Sequence, residues 1–254
     1  DLAIAVGKKL LAQSGIPPEE IGCVMVATFT PDSLTPSMAC QVHAALGLPQ
    51  TTMAFDFNAA CSGFIYGLQL AQKLLHGEDK KIILIGSERI SPHLDFTDRN
   101  TCILFGDGAA GAILEGGGED FPFVFGTKGE AEVIHCDMGG KIDMDGKEVF
   151  VFAVNVIAQS IADILEKTGL THEGIDHLVF HQANLRIINH VTKKLKIPSE
   201  KCYINVDRYG NTSSASIPIV LDEMNEKSLL KKGDKIMCVG FGAGLTWGGT
   251  LLTW

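Results

Sequence analysis

Seven cysteines punctuate this 254-residue chain, at 23, 40, 61, 102, 136, 202 and 238, and one of them differs from the rest in its surroundings. Cys61 lies in MAFDFNAACSGFIYGLQLAQKLL, which alternates like a strand as far as Phe57 and turns across residues 58–61. Beyond the turn, Phe64, Ile65, Leu68, Ala71, Leu74 and Leu75 recur at helical spacing. Cys61 is therefore expected at or just before a helix N-terminus. Unpaired backbone N–H groups and the helix macrodipole stabilise a thiolate there, so the thiol pKa is expected below its ordinary ~8.5. The neighbours Ala59, Ala60, Ser62 and Gly63 are small and leave room for a thioester to approach, whereas a cysteine that only packs belongs among bulky side chains. Nucleophilic acyl transfer through sulfur is the chemistry such a group supports.

Two further polar residues stand at comparable places. Asn211 sits in a second strand-to-helix turn, YINVDRYGNTSSASIPIVLDEM, 150 residues after Cys61, with Gly210 and the serines 213, 214 and 216 giving space around it. Taken alone it could simply cap a helix, since Asn is a favoured N-cap. His181 closes DHLVFH at the C-terminal end of a strand, where open α/β sheets collect their ligands. A structural, hydrogen-bonded histidine is the plain alternative. His172, His177 and His181 fall across a turn and a strand and share no face, so no metal site is expected. The glycine run VGFGAGLTWGG, residues 239–249, follows a buried strand, but no helix pattern follows it, which excludes a dinucleotide fingerprint. The N–H of Ala243 could instead join that of Cys61 in holding an oxyanion.

The elements that carry these residues are duplicated. LLAQSGIPPEEI, ending at Ile21, is answered by LEKTGLTHEGI, ending at Ile175, and KIILIG at 81–86 is answered by KIMCVG at 235–240, each pair 154 residues apart. LGLP at 46–49 is matched by LKIP at 195–198. Each half reads as helix, buried strand, helix, strand, tight turn, helix, strand and glycine-rich turn into a last strand. Such alternation implies an α/β protein with mainly parallel sheets. Residues 115–146, rich in glycine and acidic residues, read as a connecting loop. The halves are expected at 1–118 and at 119–254, the second including that connection.

Composition narrows the partners. A net charge of −9 argues against a nucleic-acid scaffold, because phosphate binding needs a surplus of Lys and Arg on one face. An odd number of cysteines without a C-x-x-C pair fits reduced thiols in the cytoplasm. Apolar runs fall well short of the ~20 residues that span a bilayer, so no membrane association is expected. The chain opens with Asp1 directly into a helical pattern, which suggests that its natural N-terminus is missing.

At FNAACSGF around Cys61, TDRNTCILFGDGAAGAIL from Thr97, HQANLRI from His181, DRYGNTSSASIP from Asp207 and GFGAGLTWG from Gly240, the chain resembles the thiolase-fold condensing enzymes. Within them it resembles the 3-oxoacyl-[acyl-carrier-protein] synthase III family. The resemblance covers essentially the whole chain. It implies a thiolase-like fold of two duplicated mixed-sheet halves layered with helices, α-β-α-β-α, with the family's opening strand and its adenine-clamping tryptophan missing. The implied activity is an acyltransferase that takes an acyl group from acyl-CoA onto Cys61. It then condenses that group decarboxylatively with malonyl-acyl carrier protein in fatty-acid synthesis.

Cys61, His181 and Asn211 match the family's catalytic set, and the N–H groups of Cys61 and Ala243 its oxyanion hole, with Ala243 replacing a glycine. By the same resemblance Arg99 reaches the nucleotide of coenzyme A and Asn184 orders water beside His181. Met144, Gly146, Phe150 and Phe241 line the pantetheine tunnel. Carrier protein is acidic, so Arg186, Lys193 and Lys194 are the implied docking charges. Coenzyme A enters as a substrate, and no cofactor is implied. The segment matching 30–41 crosses to the second subunit of a homodimer, where Thr35, in place of a bulky aromatic, leaves a deeper acyl pocket. Two other readings compete: a polyketide-type starter synthase using only CoA substrates, and a catalytically silent structural homologue.

Overall fold

Nearly continuous apolar strands such as IGCVMVA fold where both faces are covered, and that requirement shapes the whole molecule. The computed structural model describes residues 1–77, 80–118 and 120–254. Its first sheet runs in the order β2 (Met53–Phe57), β1 (Ile21–Ala27), β3 (Lys81–Glu88), β4 (Gly108–Leu114). The first three are parallel and β4 is antiparallel to β3. The second sheet runs β5 (Phe123–Thr127), β10 (Thr246–Thr253), β9 (Lys235–Gly242), β8 (His177–Phe180), with only β8 and β9 parallel. Equivalent strands of the sequence repeat, β1 and β8, then β3 and β9, hold the same neighbouring places in their sheets.

Helices fill three layers around these two. Between the sheets lie α3 (Gly63–Leu74) and α7 (Ser216–Glu226), which bury Phe64, Ile65, Leu68, Ile217 and Val220 against Met25 of β1 and Cys238 of β9. Outside the first sheet, α1 (Leu2–Ser14) and α2 (Met38–Leu46) cover Val24 and Val26, the alternate face of β1. Outside the second, α4 (Gly146–Thr168) and α5 (Leu185–Lys194) cover Met237, Val239 and Phe241 of β9. The layering is α-β-α-β-α, with the central pair of helices starting directly after residues 60–62 and 213–215.

Four expectations change. The sheets are mixed rather than mainly parallel, because the tight turn between β9 and β10 returns the chain as a hairpin and a hairpin is antiparallel. Residues 115–146 are not merely a loop. They contribute β5 to the second sheet and a small antiparallel hairpin of β6 (Ile134–Cys136) and β7 (Ile142–Met144). In the second half the stretch leading to Asn211 makes only an isolated bridge, Cys202 to Leu178, and then one helical turn, α6 (Val206–Tyr209), instead of a full strand. Finally, α4 is long and apolar enough to cross a membrane by length and composition alone, although single apolar runs in the sequence are short. Its Ala153, Ile157, Ile161 and Ile164 stripe is buried in the outer core of the second half.

Candidate active site

Two turns with the same backbone build the site. In the first, the Asn58 side-chain oxygen accepts from the Ala60 N–H at 2.9 Å, Ala60 takes φ 46°, and residues 60–62 form a tight helical turn leading into α3. In the second, the Asn211 side-chain oxygen accepts from the Ser213 N–H at 2.8 Å, Ser213 takes φ 49°, and residues 213–215 lead into α7. The duplication therefore sets Asn211 against Asn58 and Ser214 against Cys61, a register that strand and helix patterns alone do not give. The first turn offers its sulfur to the site and the second its asparagine amide. With Oδ1 of Asn211 engaged, its NH2 is the group left to donate.

Cys61 is buried, and its backbone is pressed against Gly242 at the end of β9. A Cβ added at Gly242 would stand 2.8 Å from the Cys61 nitrogen and 2.9 Å from its Cβ, so the strand end and the turn share a space that only a glycine leaves open. Burial pushes the thiol up to about 12, against the pull of the Ser213 hydroxyl and the residue's own N–H. The depressed pKa expected from the helix start is not found: desolvation outweighs the dipole, and the resting group is a thiol. The Cys61 N–H and the Ala243 N–H, the latter on the residue after Gly242, have no hydrogen-bond acceptor among the described residues, so both are left to donate.

His181 follows β8 directly, fixed by its N–H to Val239 O at 2.8 Å. It is 1% exposed, and burial drives its imidazole down to about 3, so the ring is neutral. Phe241 meets it edge-on at 5.2 Å between centroids. Nδ1 lies 2.6 Å from the Ser216 hydroxyl, which also accepts from the Gln182 N–H at 3.4 Å. The Ser216 hydroxyl has no other acceptor among the described residues, so its proton goes to Nδ1 and the ring carries its hydrogen on Nε2. The loop of TDRNTCILFGDG is tied to the asparagine turn, since Asn211 N–H donates to Leu104 O at 2.7 Å and Gly106 N–H to Asn211 O at 3.0 Å.

Cys61, His181 and Asn211 all line one cavity of about 930 Å³. Met144, Gly146, Phe150 and Phe241 form its walls, and Arg99 and Arg186 are exposed along it. Asn184 also lines it, but its oxygen caps α5 by accepting from the Arg186 N–H at 2.8 Å. Lys193 and Lys194 are exposed on the last turn of α5 and do not line the cavity. Thr35, exposed on the loop before α2, does not line it either. Sequence reasoning treated the serines 213, 214 and 216 only as small residues leaving space. In the structure Ser216 orients His181, and Ser214 binds Ala27 O and the Glu88 carboxyl, both at 2.8 Å. Gly242 and Glu88 were missed, although the 154-residue offset that pairs β3 with β9 makes them equivalents and would have singled them out.

Residues 165–254 match the profile of the 3-oxoacyl-[acyl-carrier-protein (ACP)] synthase III C-terminal family, and residues 55–129 that of 3-oxoacyl-[acyl-carrier-protein (ACP)] synthase III. The chain is 46% identical over 273 residues to a β-ketoacyl-[acyl-carrier-protein] synthase III of Clostridium novyi, with all of this chain and 83% of that protein aligned. Among solved structures, the 3-oxoacyl-[acyl-carrier-protein] synthase III of Aquifex aeolicus superposes with a TM-score of 0.93 at 40% identity, covering 98% of this chain and 82% of that one. The corresponding Thermus thermophilus enzyme gives 0.94 at 40%, covering all of this chain and 84% of that one.

Proposed function

The chain belongs to the 3-oxoacyl-[acyl-carrier-protein] synthase III family, acyltransferases that initiate fatty-acid synthesis by condensation, and from that premise we propose how its residues divide the reaction. Cys61 attacks the thioester carbonyl of acyl-CoA. A new S–C bond forms, the bond to the coenzyme A sulfur breaks, and the proton leaving Cys61 ends on the departing coenzyme A thiol. The N–H groups of Cys61 and Ala243 hold the oxyanion of the tetrahedral intermediate, each such donor being worth about 10²–10³-fold in rate. Arg99 attracts the nucleotide end, and Met144, Gly146, Phe150 and Phe241 guide the pantetheine arm.

Malonyl-acyl carrier protein then occupies the same cavity. As carbon dioxide leaves, negative charge gathers on the thioester oxygen, where Nε2–H of His181 and the Asn211 amide donate. Both donors are neutral, which suits them: a carboxylate at either position would oppose the charge. The resulting carbanion attacks the acyl carbon and releases Cys61. Asn184, with its oxygen engaged by α5, orders water near His181 through its NH2. Arg186, with Lys193 and Lys194 on α5, offers the acidic carrier a basic landing site beside the mouth.

A homodimer completes this reading. β2 is an open sheet edge, and beside it a groove carries the exposed Leu34 and Met138, apolar surface suited to a second copy. Seven unpaired thiols suit the cytoplasm. The observation that carries the proposal is the convergence of Cys61, His181 and Asn211 on one cavity from two duplicated turns and a strand end. Turnover with malonyl-acyl carrier protein against malonyl-CoA tests it. Condensation is expected with the carrier-bound donor, and the double variant Lys193→Glu, Lys194→Glu, outside the cavity, should raise its KM while leaving acylation from acyl-CoA unchanged. Equal use of malonyl-CoA would favour the polyketide-type alternative.

A further inference from the structure

Directly behind the nucleophile lies a second buried polar cluster. Glu88, 1% exposed at the end of β3, receives the Thr28 hydroxyl at 3.1 Å, the Phe29 N–H at 3.2 Å and the Thr30 hydroxyl at 2.8 Å, all on Oε2. Its Oε1 lies 2.8 Å from the Ser214 hydroxyl, which is also 2.8 Å from Ala27 O. A hydroxyl has one proton, and a carbonyl can only accept. Every partner is satisfied if Ser214 donates to Ala27 O and Glu88 itself donates to Ser214, which requires the carboxyl to be protonated. Burial raises its pKa in the same direction, against the hydrogen bonds from Ser214, Thr30 and Phe29.

Ser213 lies on the turn that packs against the 60–62 turn of Cys61. It is 1% exposed, sits at φ 49°, and its hydroxyl has no hydrogen-bond partner among the described residues, while its presence lowers the pKa of both the Cys61 thiol and the Glu88 carboxyl. A buried, unpaired hydroxyl on an unfavourable backbone conformation is costly unless another state of the molecule uses it. The resting thiol is a poor acceptor and a thiolate a strong one.

We propose that Ser213 is a further catalytic residue, whose hydroxyl donates to the sulfur of Cys61 as the thiolate forms, and that Glu88 is a neutral positioning residue that holds the 213–215 turn in place. The repeat places Glu88 where the other half has Gly242. One half leaves that position empty beside the reacting sulfur, and the other fills it with a carboxylic acid that clamps the equivalent Ser214. Packing agrees, since a Cβ at Gly86 would stand 2.5 Å from Ser214 O, so the turn rests on the strand that carries Glu88. The inference rests on Cys61 being the nucleophile. The titratable groups facing Cys61 are Glu88 from β3 and His181 after β8, with Arg99 and Arg186 along the cavity.

The test is the rate at which iodoacetamide alkylates Cys61, followed on its own peptide by mass spectrometry between about pH 7 and 9. Losing a hydrogen bond to a charged group should slow it about tenfold at each pH in both Ser213→Ala and Ser213→Gly, without a fall in melting temperature. A purely steric role predicts the reverse, because a smaller side chain admits the reagent faster. A purely conformational one predicts that glycine, at ease at φ 49°, behaves like the unmodified protein while alanine does not. Rates unchanged or raised in both variants would overturn the role of Ser213. Glu88→Gln, a neutral mimic, should leave the rate within about threefold, and a rise of tenfold or more would show that Glu88 is ionised and overturn its part. Acylation by acyl-CoA is read on the same samples. If the unmodified protein takes no acyl group on Cys61, the proposed function fails while the alkylation rates still decide the role of Ser213.

Discussion

Gly242→Ala is the substitution whose effect follows most directly from the geometry. The new Cβ would stand 2.8 Å from the Cys61 nitrogen and 2.9 Å from its Cβ, and both neighbours belong to a backbone turn, not to the free end of a flexible chain. Ordinary contact needs about half an ångström more, so β9 and the 60–62 turn must part. Overpacking of this kind costs roughly 1–3 kcal/mol, a fall of about 2–12 °C in melting temperature for a protein of this size. The catalytic cost is larger. A displacement of about 1 Å can lower a rate ~10²-fold, so half of that, applied between the sulfur and the paired N–H donors, should slow acylation about tenfold. Rapid-quench intact mass measures the acylation rate, with Gly129→Ala as control because nothing lies within 4 Å of its added Cβ. Acylation at the unmodified rate with an unchanged melting temperature would show that the strand end and the turn do not press on each other there.

Other outcomes follow from the same site. His181→Ala and Asn211→Ala should still form acyl-enzyme but lose about 10²–10³-fold in carbon dioxide release from malonyl-acyl carrier protein, measured with labelled malonate. Glu223 is buried, which by itself would raise its pKa, yet Arg208, Lys227 and Asn205 pull it down to about 2. A carboxyl depressed in the folded state stabilises the protein above its unfolded pKa of about 4.5 and loses that contribution as pH falls toward 2. Melting temperature should therefore drop between about pH 5 and 3, and less steeply in Glu223→Gln. In competition with acetyl-CoA, isobutyryl-CoA and butyryl-CoA should be accepted as primers, and Thr35→Phe should shift the preference toward acetyl. Strong acetyl preference in the unmodified protein would remove Thr35 as the determinant.

Cys61, His181 and Asn211 were legible in the sequence because each sits where a periodic pattern breaks, and a break between strand and helix is where backbone N–H groups and side chains face outward together. The repeat was legible for the same reason, since 154-residue identities survive in buried strands such as 81–86 and 235–240. Tertiary hydrogen bonding was not. Nothing in SSAS distinguishes Ser216, which sets the tautomer of His181, from Ser214, which ties Ala27 to Glu88, because their partners lie 35 and 126 residues away. β5 escaped because a five-residue strand inside a glycine-rich stretch carries too little alternation to stand out, and its place is set by pairing with β10. The thiol pKa was misjudged because the sequence reveals the helix start but not the burial, and here burial dominates.

The nucleophilic role of Cys61 is tested by incubating the protein with acyl-CoA, mapping the acyl group by peptide mass spectrometry, and then adding malonyl-acyl carrier protein. One acyl group per chain is expected on Cys61, absent in Cys61→Ser, and it should disappear as 3-oxoacyl-acyl carrier protein and carbon dioxide form in equal amounts. An acyl group on any other cysteine, or an acyl-Cys61 that malonyl-acyl carrier protein does not consume, would contradict that expectation.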